Sequence, residues 1–138
     1  MAHTISPEQA LIYVMVTMSG VSGNIQTSEL QEIGHIVRHL PAFREFDQTR
    51  LTTVAQECGE ILQENEGLEA VLGLVSEALG PKLRETAYAL AVEVAAADLV
   101  VGRTELRFLA ILRDRLGLDK LVTAALERSA IARYQSIG

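Results

Sequence analysis

Cysteine is nearly absent from this chain, and tryptophan is entirely so: 138 residues hold one Cys and no Trp. A lone Cys58 excludes an internal disulfide framework and favours a reducing compartment. It falls on the apolar stripe Leu51, Val54, Ala55, Cys58, Ile61, Leu62, which predicts an inert core thiol. Aromatic residues make up 4% against 49% hydrophobic, so the core is built from Leu, Val, Ile and Ala, a composition suited to closely packed helices. No long apolar run occurs. The longest nearly apolar stretch, 87–101, carries Glu93 and Asp98 and is too short and too polar to span a bilayer. Residues 1–7 lack a basic region and a following cleavage site. The expectation is a soluble cytoplasmic protein with one domain over residues 1–138.

Positive charge is scarce in the first part of the chain. Residues 1–80 hold 11 acidic and 3 basic side chains, net −8, whereas residues 81–138 hold 7 and 9, net +2. The acidic part argues against nucleic acid as a partner. Arg103, Arg107, Arg113, Arg115, Arg128 and Arg133 read first as solvated helix faces and only second as a local basic patch. Phosphate-binding glycine loops, a nucleophile elbow, a Cys-x-x-Cys pair and a His-Glu-x-x-His zinc motif are all missing. No enzyme class is indicated.

What the chain does have is helical periodicity almost throughout, with no alternating strand pattern. Ser6-Pro7-Glu8-Gln9 reads as a capping box with proline at the first helical position, opening a helix to about Val21. Ser28 with Gln31 opens a second, stopped near Pro41. Asp47 caps a third, to about Glu64. Gly67 and Gly80-Pro81 bracket a fourth. The fifth, from Pro81 to about Val100, is apolar on most sides and is expected to be the buried central helix. Thr104 is the expected cap of a sixth helix ending at Gly117, and Asp119 of a seventh reaching about Tyr134.

One segment occurs twice, 76 residues apart: 97–106 and, in eroded form, 21–30. Val14 aligns with Leu90, Glu29 with Glu105, and Leu30, Ile33 and Ile36 with Leu106, Leu109 and Leu112. Helices one and two thus correspond to five and six. The predicted fold is an all-α compact bundle of about seven helices containing two pseudo-symmetric helical hairpins.

The run Ala-Ala-Ala-Asp98-Leu-Val-Val101, with Glu105 seven positions after the Asp, resembles the Ala-Asp-Gly-x-Val/Ile-x-x-x-Glu signature of the TerB-like (tellurite resistance) family. The first copy keeps Gly23, Ile25 and Glu29; Ser22 replaces its Asp, and Leu99 replaces the second Gly. The resemblance spans roughly Glu8 to Leu126. It implies a compact helical bundle with the motif in both halves and a link to tellurium-oxyanion and other stress responses in bacteria, with partners that are often membrane-associated. It also implies a divalent-cation site, calcium or similar, carried here by Asp98, Glu105 and Glu29. Calcium needs six to eight oxygens, and Ser22 and Asn24 would contribute only if the two turns meet. Helix capping is the competing role for these acids.

Other candidates are weaker. His35 and His39 share one helix face at i, i+4 spacing, with no well-placed third ligand for zinc. Glu93 is the odd carboxylate of the fifth helix, for which Arg84, Arg107 or Tyr13 would be partners. The reading is a non-enzymatic interaction module of TerB-like type with protein partners and a weak cation site. Its alternative is a small-molecule or lipid-binding bundle, with a pocket lined by helices four and five. A hydrolase using Glu93 or Asp98 ranks last.

Overall fold

The computed structural model describes residues 4–21, 27–97 and 101–138, with only the backbone for Thr27 and Ser28. Among these residues the chain forms seven α-helices: α1 (Pro7–Gly20), α2 (Thr27–His39), α3 (Leu51–Leu62), α4 (Gly67–Ala78), α5 (Pro81–Ala97), α6 (Arg103–Leu116) and α7 (Lys120–Arg133). Two 3₁₀ turns, Pro41–Phe43 and Gln48–Arg50, join α2 to α3.

Two helices are central. α5 buries Ala87, Tyr88, Leu90, Ala91, Val92, Val94 and Ala95, as its all-round apolar sequence predicts. α1 is just as enclosed, burying an unbroken run from Ala10 to Met15 together with Thr17, Met18 and Ser19. The two pack on each other; α1 also carries α2, α3 and α4, and α5 also carries α2, α6 and α7. The pairing of α1 with α3 is thus repeated by α5 with α7. The repeat register holds in burial. Val14 and Leu90, Ile33 and Leu109, and Ile36 and Leu112 are all buried.

Local signals start and stop most helices. The Gln9 amide donates to Ser6 Oγ at 3.1 Å and the Ser6 amide donates to Gln9 Oε1 at 2.8 Å, closing the capping box of α1. Asp47 Oδ1 accepts from the Thr49 amide at 3.0 Å and its hydroxyl at 2.7 Å. That holds the second 3₁₀ turn, which runs directly into α3. Gly117 ends α6 at φ 66, the left-handed conformation glycine adopts without strain.

Three caps differ from expectation. α2 begins at Thr27, one residue ahead of Ser28. α6 is capped at Gly102, so Thr104 lies inside the first turn; the Gly102 amide donates to Glu105 Oε1 at 3.1 Å. Asp119 does stand at the N-cap of α7, but its side chain makes no capping hydrogen bond.

Cys58 is fully buried, 3.7 Å from both Thr17 Oγ1 and the Tyr13 carbonyl. Burial pushes its thiol up from 9.0 to about 11, with the Thr17 hydrogen bond opposing. Between those values the unfolded chain has released a proton that the folded chain retains, so folding stability falls as pH rises from about 9 to 11. Urea unfolding across that range checks this: Cys58→Ala should flatten the alkaline loss, and an unchanged slope would contradict it.

Candidate functional site

The acids of the repeated turns are not brought together as a metal centre among the described residues. Asp98 lies outside them, as do Ser22 and Asn24. Glu105, in the first turn of α6, has one oxygen committed to the Gly102 amide. Glu29, in the first turn of α2, is buried at 4% exposure and is engaged by other groups. Both positions suit a carboxylate at the positive end of a helix dipole. Among the described residues no group of three or more His, Cys, Asp or Glu side chains is placed to hold a metal ion.

The histidine pair is a surface feature. His35 and His39 are exposed, with ring centroids 4.3 Å apart, and His39 Nδ1 lies 2.8 Å from the His35 carbonyl.

Glu93 is explained by α7. The Tyr134 hydroxyl donates to Glu93 Oε2 at 3.1 Å, and Arg133 forms an ion pair with the same carboxylate. Of the partners expected from sequence, Arg107 makes no ion pair among the described residues, and Arg84 and Tyr13 serve elsewhere. Arg84 donates to the carbonyls of Leu79, Leu116 and Ser76 at 3.0, 3.2 and 2.7 Å. Tyr13 is buried against Cys58. One turn away the Tyr88 hydroxyl donates to the Glu127 carboxylate. Burial first, and then Glu127, push the Tyr88 phenol far above its ordinary value, so it remains a donor. α7 itself buries only Thr123 and Ala130, so these polar contacts are a large part of its hold on α5. Glu93→Gln should cost about 1 kcal/mol, because the pair is partly solvated. Hydrogen exchange should speed up across 120–134 and not across α1; uniform acceleration would contradict this latch.

Beside that latch a groove of about 580 Å³ opens between α6 and α7 with α5 as its floor. Val92, Ala95 and Ala96 form the floor, Leu109 and Ala110 one wall, and Ala130 the other. Val101, Leu106 and Ile131 stand at its rim, 41%, 57% and 51% exposed. Tyr88, Glu127 and Arg113 add a polar stretch. A second cavity of about 440 Å³ lies on the other side of α6, against Thr17, Leu62, Leu68 and Phe108. Of the two helices expected to line an apolar pocket, α5 forms the floor of the larger groove, and α4 contributes Leu68 to the smaller cavity. Sequence reasoning missed the larger groove. Leu106 looked like a core position, yet it is exposed, and so is Leu30 at the matching position of the first copy, at 55%.

The six arginines do not act as one patch. Arg115 pairs with Glu69, Arg133 with Glu93, and Arg113 lies 3.7 Å from Asp114. Arg103, Arg107 and Arg128 are exposed and make no ion pair among the described residues.

No helix among the described residues is long and apolar enough to cross a membrane. Comparison with curated proteins and with solved structures finds no match. A family model described as tellurite resistance protein TerB matches residues 8–133, from the first turn of α1 to the last residue of α7. The chain, with seven α-helices among its described residues, belongs to the TerB family.

Proposed function

We propose that this protein is a non-enzymatic interaction module and that its docking surface is the groove over α5, α6 and α7. The carrying observation is the cluster of exposed large apolar side chains, Val101, Leu106 and Ile131, around one concave apolar surface. Apolar groups gathered at a rim lose little by staying there only if a partner covers them. The family's description ties the module to tellurite resistance. Its setting in this reading is a cytoplasmic stress response with a protein partner, membrane-associated or not, and no nucleic acid. The test is a double variant, Leu106→Glu with Ala110→Arg. Tellurite survival should fall to the level of a deletion, and the native complex should shrink to the free chain on size exclusion. Full survival with an unchanged complex would overturn the reading.

A second reading has its own observation. The groove volume, about 580 Å³, lies in the range of small-molecule sites, and the Tyr88–Glu127 pair offers a polar anchor. Native mass spectrometry of the purified chain checks it, since a bound ligand adds a discrete mass that Ala110→Arg removes. The cation role of Asp98, Glu105 and Glu29 is subordinate to both. It predicts saturable Ca²⁺ shifts at 98–105 that vanish in Asp98→Asn with Glu105→Gln, and a chain without such shifts would sink it.

A further inference from the structure

The two halves of the bundle close differently. The connection from α2 to α3 runs through residues 40–50 and sends Phe43 into the core. The connection from α6 to α7 is residues 117–119 and offers only Leu118, partly buried. α6 and α7 therefore stand on α5 with an open slot between them. From Val101 to Arg113 the slot follows α6 for roughly 18 Å, the length of about three turns of another helix.

The charges around the slot have a definite balance. Its acids are engaged internally. Glu127 accepts from Tyr88, Glu105 from the Gly102 amide, and Glu93 binds Arg133 and Tyr134. The exposed arginines at the edges make no ion pair among the described residues. On α6, Arg103 sits three positions before Leu106, and on α7, Arg128 sits three positions before Ile131, whereas Arg107 lines the smaller cavity on the other side of α6.

We propose that the occupant of the slot is an amphipathic helix of a protein partner, with acidic residues flanking its apolar stripe. This rests on the groove being the docking surface. The apolar stripe would meet Leu106, Ile131 and the alanine floor, and the acids would meet Arg103 and Arg128. A second copy of this chain fits poorly. Its acidic helices α3 and α4 present Glu57, Glu60, Glu69 and Glu77, and no large exposed apolar residue stands beside them among the described residues. An anionic membrane fits poorly too, because the apolar residues line a concavity and do not protrude as an insertable ridge.

The test uses the full chain and a fluorescent helical peptide of about 18 residues, with Leu at i, i+3, i+4 and i+7 and Glu on both flanks. A twin peptide carries Lys in place of Glu, and phosphatidylserine vesicles form a third arm. The acidic peptide should bind saturably and about tenfold more tightly than the Lys twin, and vesicles should not bind. Arg103→Glu with Arg128→Glu should invert that preference, and Leu106→Glu should abolish binding of either peptide. Equal affinity for both peptides, or binding to vesicles in their place, overturns the proposal. If Leu106→Glu abolishes binding but the arginine reversals do nothing, the acidic partner is refuted while the docking groove stands. If Leu106→Glu also does nothing, both fall.

Discussion

Arg84→Ala should lower folding stability by about 4 kcal/mol, more than any other single truncation of a partly exposed side chain in this protein. The guanidinium takes the Leu79 carbonyl through Nε at 3.0 Å and those of Leu116 and Ser76 through its two terminal nitrogens. Leu79 and Ser76 belong to the end of α4, and Leu116 is the last residue of α6. One side chain of α5 therefore satisfies orphan carbonyls at two helix C-termini, where a positive charge also meets the negative ends of both dipoles. Hydrogen bonds from a charged donor are worth about 1.5–3 kcal/mol each, and partial solvation trims the total. The midpoint of thermal unfolding should fall by on the order of 15 °C. Arg84→Lys should recover less than half, because an ammonium cannot reach three carbonyls from one planar fork. Urea unfolding measures this directly; a loss under about 1 kcal/mol for alanine would show that α4 and α6 are joined by other means.

Gly67→Ala should be nearly as damaging, costing about 3 kcal/mol through backbone displacement alone. A Cβ at Gly67 would stand 2.2 Å from the Ile61 carbonyl oxygen and 2.8 Å from the backbone of Leu62. These are atoms of the α3 terminus and cannot swing away like the end of a flexible side chain. The joint between α3 and α4 must open, and with it the shared packing of both helices on α1. The neighbouring position makes the control. Glu66 sits at φ 57, where a non-glycine residue is strained by about 1 kcal/mol. Glu66→Gly relieves that strain but gives the unfolded chain about as much extra entropy, so it should be close to neutral. Comparable losses at 66 and 67 would contradict the steric account.

The helices were legible because their punctuation is local. Ser6 with Gln9, Gly80-Pro81 and Gly117 act within a few residues of themselves, and the structure uses each where the sequence puts it. The cap of α6 was misread because threonine is a better intrinsic cap than glycine. Glu105 decides the register. It stands three residues after Gly102, the reciprocal position of a capping box, and that spacing was present in the sequence. The enclosure of α1 was also readable, since residues 10–16 are as apolar as the middle of α5. The partners of Glu93 were not readable. Arg133 and Tyr134 lie about forty residues downstream, and only the packing of α7 on α5 brings them near.

The candidate site divides the same way. Glu29 and Glu105 share a position in the two copies, and both begin a helix. The cation reading still turns on Asp98, which lies outside the described residues. The groove could not be read at all. Leu106 and Ile131 have ordinary helical apolar spacing, and nothing local tells a leucine at a rim from one in a core. Their exposure is a tertiary outcome of how α6 and α7 pack on α5.

The central claim is that this groove, and no other face, meets a partner. A photo-activatable amino acid placed singly at 106, 131, 57 and 77 in the full-length protein tests it most directly in living cells. Crosslinks at 106 and 131 to one and the same protein, with none at 57 and 77 on the α3 and α4 faces, are the predicted result. Crosslinks confined to 57 and 77, or the same yield at all four positions, would contradict it.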